Sequence, residues 1–305
     1  SCGATGRRAD PEARGLRWER HAPAPTPRTE VAAAAAAGRI WVMGGFVADG
    51  STTDRVEVYD IAAGTWSPGP PLPLPVNHAM STVLDGTVYV IGGYRSGLTD
   101  PSDRAFALRD GAWVEVQRMP EPRAAGGAVV AGGRIYVAGG IGPGGLAAGT
   151  LVFDAASGWS SAPGLPTPRE HLGVASSGGR VYAVGGRAPS NLGNADAFDP
   201  GPVAWSGLPT LPTARGGLAA AATANGYVVA PGGEAEETFE EAEAFDVEEG
   251  RWISLPPLPT ARHGLGVVAV GCRVYVVAGG PEPGFAFSGA NESIDLSPLR
   301  DCPQA

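Results

Sequence analysis

The 305-residue chain contains no lysine, so all 22 of its basic residues are arginine. With the excess of alanine, glycine and proline, this suggests a genome of high GC content. The net charge is −9 and no basic stretch is long, which excludes the electrostatics that hold a nucleic-acid backbone. Long apolar runs are missing as well. The most apolar run near the start, Val31 to Ala37, is seven residues, against about 20 for a membrane-crossing helix, and no signal-peptide core precedes it. Long helices are excluded by 47 glycines and 29 prolines, a quarter of the chain. Apolar runs nevertheless recur at even intervals, and 43% hydrophobic content is ample for a core, so the pattern is that of short strands joined by turns.

One phrase occurs six times: RIWVMGG, TVYVIGG, RIYVAGG, RVYAVGG, YVVAPGG and RVYVVAGG, its glycine pairs beginning at Gly44, Gly92, Gly139, Gly185, Gly232 and Gly279. The spacings lie between 46 and 48 residues, the mark of a repeated structural unit. A phosphate-binding loop would occur once and lead into a helix, so the glycines are read as scaffold. Each period carries further marks. Arg28, Arg123, Arg169, Arg215 and Arg262 stand at its start, with Val76 in the second unit. Pairs such as Tyr59-Asp60, Phe153-Asp154, Phe198-Asp199 and Phe245-Asp246 follow the glycines, and then come Trp66, Trp113, Trp159, Trp205 and Trp252.

This combination resembles the kelch repeat over nearly the whole chain. Four short apolar segments per unit give four antiparallel strands, which bury both faces only by packing radially. The expectation is an all-β fold, a six-bladed propeller with units near 28–70, 71–118, 119–164, 165–210, 211–257 and 258–297. Small residues such as Ala32 to Ala37 fit the narrow axis. Trp18 stands 26 residues before Gly44, the same interval as in units two to four, and unit six has no tryptophan of its own. The strand at 16–20 is therefore expected to complete the last blade, making 15–305 one domain behind a flexible tether, 1–14.

The three cysteines leave one unpaired. Cys272 and Cys302 are expected on the same face of blade six and read as a disulfide, which implies an oxidising, extracytoplasmic compartment. Cys2, in SCGATG, resembles the lipidated cysteine of an exported bacterial lipoprotein, so a membrane is expected only through such an anchor.

The connections entering the first strands and the loops after the glycine pairs open on one face. That mouth gathers Arg28, Arg123, Arg169, Arg215, Arg262, Arg187, Tyr94, Glu234, His78, His171 and His263 as candidate ligand-binding residues. Five guanidiniums there suggest forked pairing with an acidic protein segment or acidic glycan. The acidic loop with Glu234, Glu236, Glu237, Glu240, Glu241 and Glu243 is read chiefly as a solvated face. His78 and His171 lie two residues past the repeat position and His263 one past it, so the three are expected to face differently; no metal and no cofactor are expected. The reading is a binding or protein-interaction module, and a monomer is expected. The alternative is an enzyme acting on an acidic sugar, because N-acetylneuraminate epimerase resembles this architecture. Galactose oxidase shares the propeller, but its copper site needs a cysteine at the mouth, and neither Cys272 nor Cys302 is placed there.

Overall fold

A computed structural model describes residues 8–303. Six four-stranded antiparallel sheets are arranged as the blades of a propeller. From axis to rim, blade one is Ala32–Ala36, Arg39–Met43, Val56–Asp60 and Thr65–Pro68. Blade two is Met80–Leu84, Thr87–Ile91, Ala105–Arg109 and Ala112–Glu115. Blade three is Gly127–Ala131, Arg134–Ala138, Thr150–Asp154 and Gly158–Ala162, and blade four Gly173–Ser177, Arg180–Val184, Ala195–Asp199 and Ala204–Gly207. Blade five is Ala221–Ala222, Tyr227–Pro231, Ala242–Asp246 and Arg251–Ser254. Blade six takes Gly266–Val270, Arg273–Val277 and Asn291–Asp295 from the end of the chain and Trp18–Arg20 from its beginning.

The apolar clusters lie between blades. Ala32, Ala34, Met43 and Val58 of blade one pack with Val88 and Val90 of blade two, and Ile40 and Tyr59 pack with Val268 and Tyr275 of blade six. A second strand therefore faces apolar neighbours on both sides, which is why these strands are near-continuous hydrophobic runs rather than alternating ones. The first strands line the axis. There the six-alanine run, helical by propensity, becomes a strand because only small side chains fit the taper.

Three devices lock the ring, and each includes the junction of the chain's two ends. Trp18 lies opposite Ile294 and Arg20 opposite Glu292 in an antiparallel ladder. The indoles of Trp18, Trp66, Trp113, Trp159, Trp205 and Trp252 each donate to a carbonyl in the connection leading into their own blade, at 2.7–2.9 Å. Finally, the N–H groups of Gly45, Gly93, Gly140, Gly186, Gly233 and Gly279 reach across to the repeat-position carbonyl of the next blade, at 2.8–3.0 Å. The bond from Gly279 to the Arg28 carbonyl joins blade six to blade one.

This clasp explains the double glycines. At Gly92 the backbone has φ +63°, and an added Cβ would run into the Arg123 carbonyl of the next blade. Counting from the sequence places the sixth pair at Gly279, yet Ala278 occupies the first-glycine position in the structure, with φ +56°. A left-handed alanine costs roughly 1–2 kcal/mol and glycine gives back about 0.5–1 in chain entropy. Ala278 is also fully buried, so losing its methyl costs about 0.8 kcal/mol more, and Ala278→Gly is expected to leave stability within about 1 kcal/mol of the parent, read as a nearly unchanged urea midpoint.

Residues 10–14 correct the expectation of a tether running to 14. Pro11–Ala13 form a 3-10 turn, the Asp10 amide donates to the Ser254 carbonyl at 2.9 Å, and Ala13 is buried in the cluster of blades five and six. Cys2 lies outside the described residues. A Cys272–Cys302 disulfide ties the first turn of blade six to the C-terminal tail.

Candidate functional site

The repeat arginines come to the mouth but point into the blades. Arg28, Arg123, Arg169, Arg215 and Arg262 are all 0% exposed. Arg215 donates to the carbonyls of Gly232, Thr213 and Ala230 and to Glu243; Arg262 repeats the pattern on Ala278, Thr260, Val276 and Glu292. Arg28 pairs with Glu57 and Arg169 with Asp196, each at 2.9 Å. These acids stand second in the third strands. Blade two lacks both partners, having Val76 and Phe106. Blade three has Leu151 at the acid's place, and Arg123 turns to Glu121 instead. The expectation that these five guanidiniums hold an anion is corrected: all five are fully buried, their terminal nitrogens are engaged by backbone carbonyls and acids, the Nε atoms of Arg28 and Arg123 are buried without a partner, and none offers the mouth a face.

Two residues past the repeat position, Glu30, His78, Ala125, His171, Gly217 and Gly264 all have left-handed backbones, with φ from 50° to 71°. That geometry turns each peptide toward the axis, where the six form a circle of hydrogen bonds. The amide of His78 donates to the Glu30 carbonyl, Ala125 to His78, His171 to Ala125, Gly217 to His171 and Gly264 to Gly217, at 2.8–3.0 Å. Val31 closes it by donating to the Gly264 carbonyl at 3.3 Å. For Glu30, His78 and His171 the left-handed strain of roughly 1–2 kcal/mol each is offset by a fixed presentation of the side chain.

These side chains belong to an alternating chain of acids and bases. His78 Nε2 lies 3.1 Å from Glu30 Oε2, and Glu30 Oε1 lies 3.2 Å from His263 Nδ1, which is 3.5 Å from Glu234 Oε2. Arg187 then bridges Glu234 at 3.2 Å and Glu170 at 2.9 Å, and Glu170 meets His171 Nδ1. The ends approach each other, with the rings of His171 and His78 edge to face at 4.8 Å between centroids. His263 stands one residue off the register of the other two histidines, as its sequence position suggested, and bridges Gly280.

Hydrogen-bond partners fix the protonation states. His263 Nε2 faces the Glu282 carbonyl at 3.1 Å while Nδ1 faces carboxylates. Both nitrogens must donate, which makes His263 an imidazolium. Its pKa is raised: burial opposes the charge, but Glu30 and Glu234 outweigh it. Burial likewise opposes ionisation of Glu30, and the surrounding histidines overcome it, so its pKa is lowered. His78 and His171 are shifted down, chiefly by burial. Asn77 Nδ2 donates to the Gly97 carbonyl at 3.1 Å, which turns Oδ1 toward His78 Nδ1, 2.6 Å away. Nδ1 of His78 therefore carries a proton, and Nε2 faces Glu30.

Of the remaining candidates, Tyr94 is buried and packs its ring edge on His78 at 5.6 Å. Arg187 and Glu234 do reach the mouth, paired with each other. Glu236, Glu237 and Glu240 are exposed, in keeping with a solvated loop; Glu243 is 1% exposed and serves Arg215. Glu30 and Glu170 were not singled out from the sequence, although Glu30 shares the register of His78 and His171. Below the circle runs an axial cavity of about 350 Å³, lined by inner-strand residues such as Ala33, Ala35 and Ser81 and ended by Glu30, His78 and His171.

A family model described as the KLHDC2/KLHL20/DRC7 Kelch-repeats domain matches residues 77–280, and the Kelch motif model matches residues 27–73. Among curated proteins, the chain is similar to Kelch-like protein terF of Aspergillus terreus, 34% identical over 146 residues. It is also similar to Kelch-like protein 35 of Mus musculus, 31% identical over 125 residues, and to alpha-scruin of Limulus polyphemus, 30% identical over 132 residues. These matches cover 42%, 40% and 41% of this chain but only 29%, 21% and 14% of the relatives.

Proposed function

Because the chain belongs to the kelch-repeat family, whose propellers typically act as protein-interaction modules, we propose that it binds a partner protein on the face carrying the mouth, and that the partner segment is basic. The observation that carries this reading is the charge of the six loops between second and third strands, 44–55, 92–104, 139–149, 185–194, 232–241 and 278–290. They hold ten carboxylates and four arginines, Arg55, Arg95, Arg104 and Arg187. Loop tips also expose apolar anchors: Leu98 is 54%, Leu146 39% and Phe285 63% exposed. Apolar anchors with a charged rim are the usual anatomy of a protein interface.

The sequence suggested the opposite charge, an acidic segment or acidic glycan. With the five repeat arginines buried, that reading retains Arg187, already shared between Glu170 and Glu234. The acidic-sugar enzyme loses its cationic pocket for the same reason. An oxidising, extracytoplasmic setting remains part of the proposal, supported by the Cys272–Cys302 pair.

Fluorescence anisotropy with peptides of matched length and basic, neutral or acidic charge tests the reading. Basic peptides containing an apolar anchor are expected to bind, to weaken with salt, and to lose affinity about tenfold or more on Phe285→Ser or Leu98→Ser. Preference for the acidic peptides would refute it.

A further inference from the structure

His78 Nε2 and Glu30 Oε2 stand 3.1 Å apart at the end of the axial cavity. The Asn77 amide, locked by the Gly97 carbonyl, supplies the proton acceptor for Nδ1, so a ring proton sits on that far side. His171 likewise has its Nδ1 facing a carboxylate, that of Glu170. Asn77 and Glu170 thus stand where the orienting partners of metal-bound imidazoles stand.

From this geometry we infer that Glu30, His78 and His171 form a binding site for one borderline divalent transition ion of the zinc class. One ligand atom from each lies within 4.8 Å of the others. Tetrahedral coordination with bonds of about 2.0–2.1 Å places neighbouring ligand atoms about 3.3 Å apart, a separation that His78 Nε2 and Glu30 Oε2 already have. Two imidazoles and a carboxylate suit such an ion better than calcium or magnesium, which take oxygen ligands. His263 Nδ1 lies 3.2 Å from Glu30 Oε1 and leaves Oε2 for the ion. The left-handed backbones hold all three ligands at the end of the axial cavity, and the small residues Ala125, Gly217 and Gly264 complete the circle there. Three protein ligands leave a coordination position open, the arrangement of sites that bind an exchangeable water or small ligand. The site is hidden in the sequence because Glu30, and not a third histidine, shares the register of His78 and His171. The site is independent of the partner's charge.

Co²⁺ and Zn²⁺ titrations of chelator-treated protein decide the matter. The expected result is one equivalent of Co²⁺ bound with visible d–d absorption, displaced by Zn²⁺ and not by Mg²⁺ or Ca²⁺. His78→Ala, His171→Ala and Glu30→Gln are each expected to weaken Zn²⁺ binding by roughly 100-fold or more, and Asn77→Ala by about 10–100-fold. His21→Ala, remote from the site, should change nothing. Failure of the wild-type protein to bind Co²⁺ or Zn²⁺ at millimolar concentration overturns the inference, and the wild-type titration decides even where a variant does not fold. Binding that survives loss of both histidines would also overturn it, since the ion would then sit on the acidic loops.

Discussion

Removing residues 1–20 is expected to lower the unfolding free energy by about 5 kcal/mol, from the lost burial of Leu16, Ala13 and half of Trp18 and the lost ladder bonds. Leu16 is 3% and Ala13 0% exposed, and both belong to the cluster that Ile294, Leu296 and Ile253 complete. The Trp18 indole also gives up its bond to the Pro256 carbonyl, 2.9 Å long. The deletion has a second effect. It bares the edge of Asn291–Asp295, a template for pairing with another chain, so the truncated protein should also self-associate as concentration rises. Chemical denaturation at low concentration measures the first effect and light scattering the second. The point variant Leu16→Ala is expected to cost about 2–4 kcal/mol without baring the edge.

A comparable loss is expected from a residue that looks like part of a ligand site. Arg215→Ala should destabilise by about 3–5 kcal/mol, because it strands Glu243 as an unpaired buried charge. Thr213 bonds the remaining Glu243 oxygen at 2.9 Å, so the acid has no route to solvent. Blade two shows the alternative in the same molecule, with Val76 and Phe106 in place of arginine and acid. The double variant Arg215→Val/Glu243→Phe is therefore expected to be about 1–3 kcal/mol more stable than the sum of its single changes, the non-additivity of a coupled pair. Urea unfolding of the four proteins gives the cycle. Additive losses would mean that Arg215 acts through the carbonyls of Gly232 and Ala230 alone.

The blades were legible in the sequence because they repeat: six glycine pairs at a near-constant period and a displaced Trp18 are enough to give number, order and closure. The direction of the arginines was harder to read. An arginine at the end of a proline-containing segment such as Pro25-Thr26-Pro27-Arg28 or Pro212-Thr213-Ala214-Arg215 looks the same whether its side chain turns out to a ligand or in to strand-end carbonyls. The deciding signal was present but lies about 30 residues away, in Glu57, Asp196, Glu243 and Glu292, and in the joint absence of arginine and acid from blade two. Glu30 was obscured for another reason. It occupies the register of His78 and His171 with a different residue type, and only the turn that gives all three a left-handed backbone brings them to one axis. The offset at Ala278 shows the limit of counting glycines: position in the turn, set by the clasp to Arg28, decides which residue takes the strained conformation.

Everything at the mouth depends on the ring being closed between blade six and blade one, and native-state hydrogen exchange measures that closure directly. The six clasp amides, at Gly45, Gly93, Gly140, Gly186, Gly233 and Gly279, are expected to exchange together, through the global opening. Exchange at Gly279 and along Asn291–Asp295 that is orders of magnitude faster than at Gly93, Gly140 and Gly186 would contradict it, showing a ring that opens where the two chain ends meet.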